Sequence, residues 1–306
     1  MNARTETWFD GALRRSPVQP VFHWRASRRL AVLAYHGIHD PERFEEHLNH
    51  LKHTARLVSL ADVLEAFDGR RSLPSHAVLI TFDDGHRSVL DVGMPLLRER
   101  GMPAIAFMVA GLVGTEHPFW WSEVIELAGR GGMVDGMPGF EPHDLVRALK
   151  RVPDERRLSA IERLRETAGG AAAPMPQLTA GDLLRLESSG ISIGNHTWSH
   201  PCLARCSAEV RRREIEDSHR ALTAMLGHEP QAFAYPDGEH DVSAADVLRE
   251  LGYRVAFLFD HRLSSQRPSD PMAVSRLRVN STTTLDRFRT IASGLHPALH
   301  RARGGG

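Results

Sequence analysis

Two adjacent carboxylates follow an apolar segment in the motif TFDDG, residues 81–85. Neighbouring carboxylates at the end of a strand cannot both be buried unless a cation or hydrogen bonds compensate their charges. A metal ion meets this requirement, with one of Asp83 and Asp84 as a ligand and the other kept as a base. The alternative is a polar turn between a strand and a helix, in which Asp84 lies near the helix N-terminus and Gly85 relieves strain.

Two histidine pairs have the spacing H-x-x-x-H, His196 with His200 and His296 with His300. The chain has 18 histidines in 306 residues. Roughly one such pair is therefore expected by chance, and the spacing alone is weak support for a site. The first pair directly follows an apolar segment, and α/β folds build their sites at the C-terminal ends of strands. The second pair lies near the end of the chain and is interpreted as accidental.

The first histidine pair and one aspartate provide three protein ligands, which leaves coordination positions for water and substrate. Mixed nitrogen and oxygen ligands suit zinc, with cobalt, nickel and iron as alternatives. We therefore expect one divalent metal ion, with zinc as its identity.

The overall composition argues against several other classes of function. Lysine and arginine together number 38, as do aspartate and glutamate, so the formal net charge is zero. A balanced charge provides no field that would hold a phosphate backbone, which argues against nucleic-acid binding. No stretch approaches the roughly 20 apolar residues of a membrane-spanning helix, and the N-terminus contains no apolar run typical of a secretion signal. We expect a cytoplasmic protein, with peripheral contact at the inner membrane face left open.

The elements that must position these residues are short apolar segments separated by amphipathic ones. Most of the apolar segments are continuous instead of alternating, as in strands whose two faces are both covered. Helix start signals stand at Ser59, Thr179, Ser207 and Thr284. Strands that alternate with helices predict a parallel sheet or a barrel. The seven predicted strands are Leu30–Tyr35, Ala77–Phe82, Ala104–Ala110, Ile191–Asn195, Gln231–Tyr235, Arg254–Phe259 and Met272–Ser275.

Residues 111–178 interrupt this alternation. The segment is far longer than an ordinary connection between a strand and a helix, and it has helical patterns around Leu145–Lys150 and Glu155–Glu166. We interpret it as an inserted helical segment with a flexible Ala/Gly/Pro hinge. The predicted organisation is an N-terminal extension at 1–28, a main domain at 29–297 and a disordered tail at 298–306.

Three motifs, TFDDG at 81–85, HTWSH at 196–200 and FAYPDG at 233–238, together resemble those of the polysaccharide deacetylase family. This family is also called carbohydrate esterase family 4 or the NodB homology domain. The resemblance runs from about Leu30 to about Val279, with the motifs in the family's order and each at the end of a predicted strand. It implies a distorted (β/α)7 barrel, TIM-like and of the NodB type, with a helical insertion.

The resemblance also implies roles for individual residues. It makes Asp83 the general base and Asp84, His196 and His200 the metal ligands, and it gives the backbone N–H of Asp237 the role of oxyanion donor.

One family position departs from the pattern, because Ala234 stands where an arginine usually orients the catalytic aspartate. Arg276 or Arg278, just past the last predicted strand, is a candidate replacement. The motif AYHG at 34–37 resembles the first strand of the circularly permuted poly-N-acetylglucosamine deacetylases, whose acid histidine comes first. This implies that His36 is the general acid.

Trp120 and Trp121 begin the inserted segment, and one of them could stack on a sugar face. Adjacent residues point in different directions, so at most one would do so. Trp121 is the candidate, and packing of the insertion against the barrel is the alternative.

The resemblance implies a hydrolase of non-peptide carbon–nitrogen bonds, a metal-dependent N-deacetylase that releases acetate from N-acetylhexosamine units of a glycan or glycoconjugate. Two alternatives stay open. One is a related hydrolase of formamides or cyclic ureides, and the other is an inactive glycan-binding domain of the same fold.

Overall fold

The computed structural model describes residues 10–137 and 139–302. The helices are α1 (Gln19–Ala26), α2 (Pro41–Thr54), α3 (Leu60–Phe67), α4 (Met94–Glu99), α5 (Trp120–Gly129), α6 (Pro142–Leu149), α7 (Asp154–Thr167), α8 (Ala180–Ser188), α9 (Ala208–Leu226), α10 (Val242–Glu250), α11 (Leu285–Ala292) and α12 (Leu295–Ala302). The strands are β1 (Arg29–Tyr35), β2 (Arg56–Leu57), β3 (Ala77–Phe82), β4 (Ala104–Met108), β5 (Ile191–Asn195), β6 (Ala232–Ala234), β7 (Val255–Phe257), β8 (Ser264–Ser265) and β9 (Leu277–Arg278).

The main strands form one curved parallel sheet in the order β7-β6-β5-β4-β3-β1. Every residue of β3 and β4 is buried, as expected of continuous apolar strands covered on both faces. Because successive side chains point to opposite faces, Leu30 and Val32 belong to one hydrophobic cluster, while Ala31 and Leu33 belong to another. The short strands β2 and β8 pair with β3 and β1.

Residues 274–278, here called the closing segment, join the two ends of this sheet. Val274 bridges Phe257 of β7 in parallel. Leu277 and Arg278 then pair in parallel with β1 on the opposite edge. Six strands and the closing segment thus complete the predicted (β/α)7 barrel. The strand predicted at Met272–Ser275 is displaced, because the chain contacts β7 only briefly before it crosses to β1.

The predicted helix starts are also observed. Ser59 and Thr179 each form a capping box with the aspartate three residues later. The hydroxyls of Ser207 and Thr284 accept backbone N–H groups of the first turns of α9 and α11. These caps satisfy amide groups that have no partner within the helix.

The insertion contains three helices, α5, α6 and α7. The sequence analysis indicated α6 and α7 but missed α5, although Trp120, Val124 and Leu127 recur at helical spacing. The three helices share a separate hydrophobic cluster that includes Val124, Leu149 and Leu164. The insertion therefore has its own small core beside the barrel.

The chain ends pack more closely than the sequence suggested. In the predicted N-terminal extension, α1 contacts β1 and α12, and Asp10 is buried. Residues 298–302, predicted to be disordered, are the end of α12 because Leu295 and Pro297 anchor that helix in the core. The rest of the predicted tail, 303–306, lies outside the described residues. No helix in the described part of the chain is long and apolar enough to cross a membrane.

Candidate active site

The three sequence motifs meet at the C-terminal edge of the barrel. Asp83 and Asp84 follow β3, His196 follows β5, and Asp237 follows β6. Of the described residues other than glycine, six have positive φ, and four of these lie in the motifs, namely Asp84, Thr197, His200 and Asp237. Such backbone conformations cost of order 1 kcal/mol each and cluster at functional sites.

Asp84, His196 and His200 converge on one point. Asp84 Oδ1 lies 3.5 Å from Nε2 of His196 and 3.4 Å from Nε2 of His200. One possible ligand atom from each of the three residues falls within 4.8 Å of the other two. It is the one such group found among the described residues.

The contacts of this triad fit a bound divalent cation. Asp84 Oδ1 and His200 Nδ1 are buried and have no hydrogen-bond partner. A buried carboxylate oxygen without a partner carries a large desolvation cost, which a cation between the three side chains would remove. Two imidazoles and a carboxylate form a donor set typical of zinc and related metals.

Neighbouring groups orient the two histidines. Nδ1 of His196 lies 2.7 Å from the carbonyl oxygen of Ala234 and donates to it, which directs Nε2 towards Asp84. Trp120 Nε1 donates to the carbonyl oxygen of His200 at 3.1 Å, and the Trp121 ring contacts the His200 ring edge-on at 4.7 Å. This use of outer contacts to fix ligand geometry is common in metal sites.

Burial and mutual charge set the ionisation of the triad. Burial alone would raise the pKa of Asp84. His196, His36 and His200 lower it by more than burial raises it, so the pKa lies well below the ordinary value. Burial, reinforced by His196, lowers the pKa of His200 to about 4. At neutral pH the site therefore presents an ionised carboxylate and a neutral His200, the forms that ligate a metal.

Asp83 forms a second, separate arrangement with Arg276. Arg276 Nη1 and Nη2 donate to Asp83 Oδ1 and Oδ2 at 2.7 and 2.8 Å. Arg276 is fully buried, with Nε on the Leu258 carbonyl oxygen at 2.7 Å and Nη1 on Thr81 Oγ1 at 3.1 Å. Burial raises the pKa of Asp83, but the guanidinium of Arg276, together with His196 and His36, outweighs burial, so the pKa is lowered. Asp83 is held ionised and in one orientation.

The structure thus separates the two arginine candidates. Arg276 lies in the closing segment with its side chain between β7 and β3, where it contacts Asp83. Arg278 is exposed, and its Nε donates to the Phe259 carbonyl oxygen at 2.7 Å while the guanidinium lies 5.0 Å from the Phe259 ring centre. Of the two candidates, Arg276 is therefore the one that contacts Asp83.

Asp237 occupies a tight turn, and a residue of the insertion reaches it. The turn is close-packed, because a Cβ on Gly238 would lie 2.3 Å from the backbone nitrogen of Phe259. Lys150, at the end of α6, forms an ion pair with the carboxylate of Asp237. Sequence reasoning missed Lys150, although it is one of two lysines in the chain, with Lys52.

His36 and Trp121 lie on different sides of this edge. The His36 ring contacts the Phe259 ring edge-on at 5.4 Å, and His36 lowers the pKa of both Asp83 and Asp84. Trp121 stacks on Phe119 at 4.9 Å, so one of its faces is covered by protein. Its predicted contact with a sugar stays a prediction.

A groove of about 990 Å³ leads along the insertion to His200. Aromatic, aliphatic and charged side chains from the insertion form one wall, and Trp198, which is 40% exposed, lies on the barrel side. The groove therefore reaches one residue of the candidate metal triad, His200.

A family model for polysaccharide deacetylase matches residues 70–256. The poly-beta-1,6-N-acetyl-D-glucosamine N-deacetylase of Escherichia coli (strain K12) is 23% identical over 241 residues, which cover 76% of this chain and 32% of that protein. The chain therefore spans about a third of the length of this curated relative.

Two solved structures share the fold. Deacetylase PplD from Streptococcus pyogenes, in complex with acetate, aligns with a TM-score of 0.61 at 18% identity, covering 86% of this chain and 98% of the other. IcaB from Ammonifex degensii aligns with a TM-score of 0.60 at 22% identity, covering 88% and 97%. At these identities the likeness establishes the barrel.

Proposed function

Because the chain belongs to the polysaccharide deacetylase family, we propose that it hydrolyses the acetamide of N-acetylhexosamine units in a glycan or glycoconjugate and releases acetate. The observation that carries this proposal is a pairing at one barrel edge. A candidate metal triad lies next to a buried carboxylate that Arg276 holds ionised. The name of the Escherichia coli relative, a poly-N-acetylglucosamine N-deacetylase, supports the same substrate class.

Asp84, His196 and His200 would hold one divalent ion, for which we propose zinc. A bound metal of this kind lowers the pKa of water and polarises a carbonyl oxygen. The triad consists of two imidazoles and one carboxylate. Cobalt, nickel and iron accept the same kinds of ligand and are the alternatives to zinc.

The remaining steps belong to side chains and backbone of this chain. Asp83 removes a proton from the attacking water, and Arg276 keeps the carboxylate in the ionised form that this role needs. The backbone N–H of Asp237 stabilises the oxyanion that develops on the acetyl carbonyl. His36 protonates the departing amine as the carbon–nitrogen bond breaks, so that water and the amide become acetate and a glucosamine-type amine.

The test is acetate release by the zinc-loaded chain from β-1,6- and β-1,4-linked N-acetylglucosamine oligomers, with N-formyl sugars and a cyclic ureide in parallel. We expect acetate from at least one oligomer. Formate release from the N-formyl sugars, or hydrolysis of the ureide, without acetate release would favour the related hydrolases. Glycan binding without turnover would favour an inactive glycan-binding domain. Either result would overturn the proposal.

A further inference from the structure

His36 lines a second cavity, of about 620 Å³, that shares none of its described lining residues with the groove at the insertion. We call it the basic cavity. It lies between the start of α11, α12 and the loop after the closing segment. Its described lining residues are Asp10, His36, Phe259, His261, Arg278, Val279, Asn280, Thr282, Thr283, Thr284, Arg287, Ile291, His296 and His300.

The charge of the basic cavity is dominated by cations. Arg278 and Arg287 are permanently charged, and Asp10 is the one carboxylate among the described lining residues. The Thr284 cap at the N-terminus of α11 also lines the cavity, and a helix N-terminus favours negative charge.

The three histidines of the basic cavity contact one another. The His261 ring centre is 5.2 Å from that of His296 and 5.5 Å from that of His300. Nδ1 of His261 accepts the backbone N–H of Arg278 at 3.1 Å, and its Nε2 lies 3.0 Å from His296 Nδ1. A neutral His261 therefore donates to His296, which leaves the proton of a neutral His296 on Nε2.

The field around His261 is positive. Burial lowers its pKa, and so does each of the charged groups that act on it, His296, His300, Arg278 and Arg287, to about 3. Among the described residues, the three histidines also form no group with a carboxylate that could hold a metal ion. This separates the histidine cluster from the metal triad, which has the carboxylate of Asp84 at its centre.

We propose that the basic cavity binds a phosphate group carried by the N-acetylated substrate. This inference rests on the proposed function, since it places the phosphate on the His36 side of the sugar that is deacetylated. Planar guanidinium groups match the geometry of phosphate oxygens. The described lining of the basic cavity contains two arginines and one carboxylate, so the arginine charge is not fully neutralised within the cavity. A phosphate monoester carries about −1.5 to −2 charge at neutral pH and would balance this positive charge.

The binding test uses N-acetylglucosamine 1-phosphate, inorganic phosphate and neutral N-acetylglucosamine with the zinc-loaded Asp83→Asn chain, measured by calorimetry. We expect the sugar phosphate to bind at least tenfold more tightly than the neutral sugar, with inorganic phosphate as a competitor. Arg287→Gln should remove most of this preference. Arg70→Gln is the matched control, because Arg70 lies outside the cavity with a side chain that is 74% exposed.

The sources of the phosphate are separated by a second arm, in which a lipid-linked N-acetylglucosamine diphosphate in micelles replaces the soluble sugar phosphate. Tighter binding in either arm that depends on Arg287 supports the cavity assignment and identifies the source. Equal binding of phosphorylated and neutral sugars, or a preference untouched by Arg287→Gln, overturns it. The assignment would also be overturned if the parent chain bound a second metal ion and His296→Gln or His300→Gln removed that ion.

These outcomes are distinct from those of the proposed function. If no N-acetyl sugar yields acetate but Arg287-dependent phosphate binding persists, the activity is wrong and the phosphate site stands. If acetate is released and no phosphate binds, the activity stands and the phosphate site is wrong.

Discussion

The two histidine pairs of this chain share one spacing and lie in opposite electrostatic surroundings. His196 and His200 are in a loop after β5, where Asp84 lies 3.4 to 3.5 Å from both. His296 and His300 lie on successive turns of α12 and contact His261. Equal spacing in sequence therefore produces a candidate metal site only where the fold adds a carboxylate.

The second pair was interpreted from sequence as accidental, and the structure gives it a context. Among the described residues the pair belongs to no group of three possible metal ligands. The pair nevertheless lines a cavity with two arginines.

The largest expected difference is in metal content. His200→Ala or His196→Ala removes a ligand and should reduce bound zinc to background, with at least about a thousandfold loss of acetate release because metal catalysis supplies several kcal/mol. His296→Ala and His300→Ala should keep full zinc occupancy. Elemental analysis of the four variants measures this, and equal zinc loss from both pairs would erase the distinction.

Asp83→Asn separates the base from the metal. The amide cannot accept the proton of the attacking water, so turnover should fall by about 10²–10⁴-fold. Zinc content should not change, because Asp83 is held by Arg276 and lies outside the triad. An Asp83→Asn chain with normal turnover would refute the assignment of the base.

The two arginines provide a further contrast. Arg276→Gln leaves the Asp83 carboxylate buried without its cation, which should lower the free energy of unfolding by about 3–5 kcal/mol. Arg278→Gln is the matched control, and removal of its exposed side chain should cost about 1 kcal/mol or less. Urea denaturation compares the two variants, and similar losses would contradict a special role of Arg276 in holding the buried Asp83 carboxylate.

The smallest expected effect concerns the insertion. Lys150→Met removes the ion pair with Asp237 and should raise KM severalfold, while stability changes by less than about 1 kcal/mol because the pair is partly exposed. Lys52→Met controls for loss of a lysine elsewhere. If Lys150→Met has the kinetics of the parent chain, the insertion does not act on the site through this contact.

Much of the site was accessible from local sequence. Asp83, Asp84, His196 and Asp237 each follow a segment that reads as a strand, and parallel strands bring such residues to one edge. Lys150 gave little signal, because a lysine at the end of a helix is ordinary. Only its rarity in this chain, with Lys52 as the other lysine, marked it out.

By itself the sequence predicted the parallel α/β class and the positions of the motifs, because apolar segments and motif residues are local properties of the chain. The family resemblance added the barrel and the candidate ligands Asp84, His196 and His200. The tertiary structure decided which arginine reaches Asp83, since this depends on where residues 274–278 cross from β7 to β1. It also brought His261 to His296 and His300, and Lys150 to Asp237. These contacts depend on how helices and loops pack against the barrel, and no local pattern encodes that geometry.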